Sequence, residues 1–468
     1  MDFSGRWDMG SRIGLRLLAG VAGVAAALAP CMATIGSAQA TETCFGLAAT
    51  ITAPPGQREV RGTEGDDVIV AKDVSRVLAL GGDDAICVTG PARIEAGDGN
   101  DRVQSHSGRG TTNVVILGSG SDLFEGSEAD DEVYAEQTYV DDETLQSYPG
   151  TGTENTDSVR TYGGDDVIVS GARLDTQPDN DEVQAGPGDD LVSLVPWLGG
   201  DIKASGGAGT DWFQLRQTPK DSVAVSIDLA AGTAMADGVQ FSTAEEFENV
   251  DTIHRSQAEG SALDLRGNDA ANTIVAWGWV DTVSIDTGAG DDNVIHALGT
   301  KISAQAGPGD DRLTLYGDPQ SVVGGPGRDT IAMQGGGGAD MPVVYDLRHG
   351  LFWRGDVAVP FETERLTVLT SGAASGHVQV LGTSGRDVVT AGQCGTVVRG
   401  AGGDDLLRST SEKCEGVATT LYGNGGDDVL RGGSGRDVLL GGTGSDRAFG
   451  GASRDRCRAE LKRDCERN

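Results

Sequence analysis

A nine-residue pattern, G-G-x-G-x-D-x-U-x with U a large apolar residue, returns along most of the chain and leaves few ways for it to fold. Four units run without a gap from Gly423, Gly432, Gly441 and Gly450. The same form begins at Gly62, Ala96, Leu117, Gly126, Ala185, Gly206, Ala306, Gly324, Gly382 and Gly400, and its second half alone survives around Asp84, Asp166 and Asp292. Copies stand 9 residues apart in the final run and about 17 to 19 apart along much of the chain. Eighteen residues are two nonapeptides, so the spacing predicts a stacked coil with two turns and two short strands, one side of which has drifted.

Position eight carries the core. Ile69, Ile86, Val103, Phe124, Ile168, Phe213, Leu313, Ile331, Val389, Leu407, Leu430 and Leu439 recur once per unit and line a narrow interior as coils stack. Aromatic residues are only 5% of the 468, too little large apolar volume for three ordinary globular cores. The fold class expected is therefore all-β, a thin parallel solenoid.

Glycines at positions one, two and four allow the positive φ and close backbone approach of a tight turn. The Asp at position six adds an anionic oxygen, and two stacked turns supply enough oxygens for a hard cation with six or more ligands. Stacked strands lie about 4.8 Å apart, so two uncompensated carboxylates at that distance repel by roughly 3 kcal/mol at an effective dielectric of about 20. The candidate ligands are Asp67, Asp84, Asp101, Asp122, Asp166, Asp190, Asp211, Asp292, Asp311, Asp329, Asp387, Asp405, Asp428, Asp437, Asp446 and Asp455. Turns on one side differ by 18 residues, which pairs Asp428 with Asp446, Asp437 with Asp455, Asp311 with Asp329 and Asp387 with Asp405. The bland alternative is that Gly-Asp is turn chemistry, with the Asp bonding to backbone and no metal. That alternative weighs most at the imperfect copies, Asp131 and the Asn-substituted Asn272. Arg328, Arg386, Arg436 and Arg454 at position five reduce the charge of their turns.

These motifs resemble the haemolysin-type, or RTX, calcium-binding family over roughly residues 60 to 458, most strongly from 382 onward. The resemblance implies a right-handed parallel β-roll with Ca2+ held in glycine-rich turns. Relatives often carry an enzyme or toxin domain beside the repeats, and here the repeats fill the chain.

Residues 1–40 read as a secretory signal: Arg6, Arg12 and Arg16, an apolar run from Leu17 to Pro30, then Ala38-Gln39-Ala40. The apolar run is short of the ~20 residues that span a bilayer, so no membrane insertion is expected after cleavage and the chain is expected to be secreted. The whole chain has a net charge of -35, and removing residues 1–40 leaves -36. That balance speaks against nucleic-acid partners and against anionic membrane surfaces. Cys44, Cys87, Cys394, Cys414, Cys457 and Cys465 remain, an even count fitting disulfides in an exported chain. Because a repeat contacts only its neighbours, sequential pairing is expected: Cys44–Cys87, Cys394–Cys414 and Cys457–Cys465, the last a capping staple that needs a bend.

A longer repeat overlies the short one. Gly209 and Gly327 stand 118 residues apart, as do Asp228-Leu229 and Asp346-Leu347, while Glu248 and Glu364 are 116 apart. The expected organisation is a signal (1–40), an N-terminal cap (41–60), β-roll repeats (61–135), a polar surface insertion (136–160), a duplicated block with irregular coils (161–390), a regular nonapeptide roll (391–456) and a disulfide-capped tail (457–468).

Catalytic signals are poor. His106, His254, His296, His349 and His377 lack zinc-site spacing, and no H-E-x-x-H, G-x-S-x-G or phosphate-loop motif is present. Trp277 and Trp279 alternate and share one strand face, where they could stack a sugar or merely pack. The reading is a non-enzymatic, calcium-dependent repeat protein. Its rivals are an extracellular carbohydrate-binding or adhesion module with a polysaccharide or cell-surface partner, and a polysaccharide-acting β-helix enzyme.

Overall fold

One inward apolar residue per short strand can seal only a narrow interior, and the chain winds accordingly. The computed structural model describes residues 42–466 apart from 55, 136, 141–146, 150–155, 172–179, 196–199, 217, 219–221, 298–300, 335–341, 370–377 and 411–417. The proposed signal, 1–40, lies outside the described residues. No helix occurs among the described residues; the architecture is an all-β parallel solenoid.

One wall is a row of 19 parallel strands, from Glu59–Arg61 at one end to Leu461–Arg463 at the other. The facing wall begins with 8 strands, Ile51–Thr52 to Lys203–Ala208, and passes through the parallel bridges Ile202 to Ser242 and Ser205 to Glu245 into 15 more, ending at Arg456–Arg458. Register keeps like on like: Ile69 opposes Ile86, Ile86 opposes Val103, and Val103 opposes Phe124. All of these position-eight side chains are fully buried, and a single continuous apolar cluster runs from Val60 to Cys457.

The longer repeat is a pair of antiparallel meanders. Ala224–Asp228, Thr233–Ala236 and Val239–Thr243 form one, and Val343–Asp346, Leu351–Arg354 and Val357–Glu362 form the other. Each replaces a strand of the facing wall. The last strand of the second meander stacks on the coil before it (Val322 on Phe361), and its first strand carries the coil after it (Tyr345 on Val380). Aromatic rings fill the wider interior there, with Phe213 edge-on to Phe247 at 5.4 Å and Tyr345 edge-on to Phe361 at 5.2 Å.

The stretch assigned to a surface insertion, 136–160, is shorter than expected. Gln137–Val140 and Ser147–Pro149 pair antiparallel, but the stack resumes at Asp157, because Ser158–Tyr162 already lies between Leu123–Ser127 and Glu182–Pro187. Asp157-Ser158-Val159 retains only the D-x-U core of the motif, too little to register as a copy.

Cys44 is disulfide-bonded to Cys87, tying the antiparallel N-terminal pair Thr43–Cys44 and Leu47–Ala48 to the third strand of the 8-stranded wall. Cys457 is bonded to Cys465 across the final turn. Cys394 is disulfide-bonded, while its expected partner Cys414 lies outside the described residues.

Candidate metal centre

The turns close in the way their glycines require. A Cβ on Gly309 would lie 1.8 Å from the Gly290 carbonyl oxygen, and one on Gly327 would lie 1.7 Å from that of Gly309. Those glycines have φ of 158° and 157°. Position-four carbonyls thus point along the stack at the next coil, one above another. At position one the obstacle is the turn's own aspartate: a Cβ on Gly400 would meet Asp405 Oδ2 at 1.9 Å and one on Gly423 would meet Asp428 Oδ2 at 2.1 Å.

The position-six carboxylates form ladders. The N–H of Asp84 donates to Asp101 Oδ1 at 2.8 Å and that of Asp101 to Asp122 Oδ1 at 2.7 Å. On the opposite side the N–H of Asp190 donates to Asp211 Oδ1 at 2.8 Å, Asp292 to Asp311 at 2.8 Å, and Asp405 to Asp428 at 2.9 Å. The four pairs expected from the 18-residue spacing are stacked neighbours: Asp311–Asp329, Asp387–Asp405, Asp428–Asp446 and Asp437–Asp455 are joined by the same bond at 3.1, 2.9, 3.0 and 2.9 Å. Position five runs the other way. There the N–H of Asp427 donates back to Asp404 Oδ1 and that of Asp310 back to Asp291 Oδ1, each at 2.8 Å.

The motif changes sides. Asp67, Asp84, Asp101 and Asp122 precede strands of the 8-stranded wall, and so do Asp157 and Asp181. Asp131, Asp166, Asp190, Asp211, Asp292, Asp311, Asp329, Asp387, Asp405, Asp428 and Asp446 sit at the entry to the 19-stranded wall, whereas Asp437 and Asp455 return to the first side.

Sequence reasoning missed several rungs. Asp157 accepts from the N–H of Asp122, and Asp181 from that of Asp157, both at 2.8 Å. Glu248 and Glu364 take the aspartate's place where the meanders enter, accepting from the N–H of Asp211 and of Asp329, each at 2.8 Å. Their 116-residue spacing was the available signal. Glu460 ends the ladder by accepting from the N–H of Asp446 at 2.9 Å.

Each bonded carboxylate uses one oxygen. Oδ2 of Asp84, Asp101, Asp122, Asp131, Asp166, Asp190, Asp211, Asp292, Asp311, Asp329, Asp405, Asp428, Asp446 and Asp455 is buried with no hydrogen-bond donor among the described residues, as is Asp437 Oδ1. A buried anionic oxygen without a donor is costly unless a cation or a proton satisfies it. Burial accordingly pushes the carboxyls of Asp101 and Asp190 up to about 8, those of Asp122, Asp131 and Asp405 to about 7, and that of Asp428 to about 6. Neighbouring aspartates add to the rise in most of them, Asp84 and Asp122 around Asp101 for example.

Two of the candidate ligands differ. Asp67 Oδ2 accepts from the N–H and hydroxyl of Thr63 at 2.7 and 2.9 Å, and Asp387 accepts from the N–H and hydroxyl of Thr383 at 2.6 and 3.1 Å. The N–H of Gly433 reaches Asp437 Oδ2 in the same way at 2.9 Å, but among the described residues only Thr63 and Thr383 at position two add a hydroxyl that closes the carboxylate within its own turn. Asn272, an amide, is likewise met by the N–H of Asn268 at 2.8 Å.

Among the described residues no three acidic, His or Cys side chains converge on one point. The donor set is thus a stacked carboxylate with an open oxygen beside rows of turn carbonyls, all hard oxygen, which fits calcium rather than a thiolate- or imidazole-seeking metal. The histidines stay apart. His254 Nδ1 bonds Thr218 Oγ1 at 2.8 Å, His296 is buried in the core, His349 Nδ1 bonds Asp346 Oδ2 at 2.9 Å, and His377 lies outside the described residues. Trp277 and Trp279 are exposed on the 19-stranded wall, with the Arg255 guanidinium 4.6 Å from the Trp279 ring.

Comparison with known families matches the RTX calcium-binding nonapeptide repeat in four copies, over residues 107–137 and 420–457. Both stretches are places where consecutive turns of a coil carry the motif, Asp122 with Asp131 and Asp428 with Asp437, Asp446 and Asp455. A search of curated proteins finds no match.

Proposed function

We propose that this chain, a β-solenoid carrying RTX calcium-binding nonapeptide repeats, is an exported, non-enzymatic protein in which Ca2+ at the stacked turns stabilises the roll. The observation that carries the reading is the run of buried aspartate oxygens with no donor among the described residues, repeated on successive coils and lost where Thr63, Thr383 or Ser170 donates to the carboxylate or Asn272 replaces it.

The residues that would hold the ion are those with the open oxygen: Asp84, Asp101, Asp122, Asp131, Asp166, Asp190, Asp211, Asp292, Asp311, Asp329, Asp405, Asp428, Asp437, Asp446 and Asp455. Asp67 and Asp387 serve as turn closures instead. Bound calcium supplies positive charge that offsets the stacked carboxylates. The chain's own part is to hold each carboxylate fixed through the N–H of the preceding coil and to exclude water with the strand behind it. Export is supported by the sequence of residues 1–40 and by the disulfides at Cys44–Cys87 and Cys457–Cys465.

The test is calorimetric titration of the calcium-depleted mature chain, followed in parallel by circular dichroism. Several ions bound with dissociation constants of about 0.1 to 1 mM, and ordered β signal gained with them, are expected. A chain that binds no calcium, or whose spectrum is indifferent to chelator, overturns the proposal.

A further inference from the structure

Charge is unevenly spread along the solenoid. Residues 391–468 hold 12 of the 36 Lys and Arg and 12 of the 71 Asp and Glu, so this end is neutral while the remainder carries the whole -35. The structure separates the two signs further. In the last coils of the 19-stranded wall the aspartates stand at the turns, whereas the outward positions of the strands hold Arg365, Arg408, Arg431, Arg447 and Arg463 and no acidic residue.

Register sets these arginines in two rows along the solenoid axis. Arg408 opposes Arg431, Arg431 opposes Phe449, and Phe449 opposes Arg463; in the adjoining row Arg447 stands between Val429 and Leu461. All five guanidinium residues are exposed. Among the described residues Arg365, Arg408, Arg431 and Arg447 have no carboxylate partner, and Arg463 meets only its neighbour Asp464 at 3.7 Å. The Arg431 guanidinium lies 5.3 Å from the Phe449 ring, which holds it in place without neutralising it.

We propose that this face docks an acidic polysaccharide, a linear polymer bearing carboxylates at regular intervals. Charge complementarity selects an anionic partner in a protein that elsewhere repels one. The flat, repeating geometry, with cationic positions one coil apart at about 4.8 Å, suits a chain laid along the axis rather than a small anion in a pocket. Guanidinium groups fork onto carboxylates in bidentate fashion. Single-stranded nucleic acid is the poorer fit, because bases need open aromatic platforms and the half-buried Phe449 ring is covered by Arg431. The face requires the folded roll, for which the test supplies calcium, but no ion takes part in the contact with the polymer.

The test uses the mature chain in millimolar calcium, with hyaluronan as the carboxylate polymer, dextran as the uncharged one and a single-stranded DNA oligonucleotide, measured by calorimetry at rising salt. Binding to hyaluronan that weakens with salt, and none to dextran, is expected. The variant R408Q/R431Q/R447Q/R463Q should weaken hyaluronan binding by about tenfold or more, the scale of losing charge-assisted hydrogen bonds. The control R102Q/R160Q/R266Q/K301Q makes the same change of charge on the facing wall and should bind as the parent does. Circular dichroism on both variants verifies that the roll is intact. Absence of hyaluronan binding, equal loss in both variants, or tighter binding of the oligonucleotide overturns the proposal.

Discussion

The N–H of Asp428 donates to Asp446 Oδ1 at 3.0 Å, and the other oxygen of that same Asp446 carboxylate is buried with no donor among the described residues. One side chain thus has a structural half and an open half, and the two can be separated experimentally.

Replacing Asp446 or Asp405 by Asn keeps an oxygen to accept the preceding coil's N–H but removes the charge. Each substitution should weaken calcium binding at its turn by about tenfold or more, since ligand charge sets affinity in such sites. Asp387→Asn should leave calcium binding nearly unchanged, because Thr383 already satisfies that carboxylate. Calorimetric titration of the three variants checks the contrast; equal losses in all three would refute it.

The pH dependence of the calcium-depleted chain has a definite sign. Burial raises the folded-state carboxyls of Asp101 and Asp190 to about 8 and of Asp122, Asp131 and Asp405 to about 7, so between the ordinary carboxyl range and those values the folded chain binds more protons than the unfolded one. Stability from these groups is fully present below about pH 4 and is lost as pH rises through about 6 to 8. Thermal melts without calcium should therefore show higher melting temperatures at pH 5 than at pH 8, and calcium should restore stability most at the alkaline end. A calcium-free melting temperature that climbs over that range would contradict the assignment.

Gly327→Ala places a methyl where the Gly309 carbonyl oxygen stands 1.7 Å away, on a backbone at φ 157°. Neither the preceding coil nor the residue can yield cheaply, so a loss of at least about 2 kcal/mol is expected in calcium-saturated denaturant unfolding. Gly238→Ala is the useful comparison. Its φ is 79° but nothing lies within 4 Å, so only backbone strain remains and the loss should be smaller.

The double substitution C457S/C465S removes the bond across the final turn. Its loop is short, so the cost should be about 2.5 kcal/mol and confined to the end. Hydrogen exchange should speed up in Asp437–Thr443 and Arg447–Phe449 while the strands around Ile69 stay protected. Uniform acceleration along the chain would show that the staple acts on the whole roll.

Much of this architecture was legible because stacking repeats one rule. An aspartate two residues before a large apolar residue marked where Ile69 or Leu430 enters the core, and the 18-residue spacing paired Asp428 with Asp446. What escaped was whatever used different residues for the same job. Glu248 and Glu364 reach the N–H that an aspartate accepts elsewhere, because a longer side chain spans the wider coil at a meander. Asp157 and Asp181 kept only the D-x-U core, since their turns have no run of glycines to mark them. The crossing from one side to the other between Asp122 and Asp131 was hidden because both turns of that coil carry the motif. The self-closed turns at Thr63 and Thr383 depart from the repeat only at position two, and the hydrogen bonds show what that Thr does.

The position-six bonds share one direction along the chain, opposite to that of the position-five bonds. Within each uninterrupted run a coil offers its N–H to an oxygen that arrives later in the chain, as Asp405 does to Asp428, Asp428 to Asp446, and Asp446 to Glu460. A polypeptide emerging amino end first therefore always carries one unfinished turn at its growing edge, and completion waits for Glu460. Truncation before that residue would leave the roll without its terminating acceptor and return the growing edge to an incomplete state.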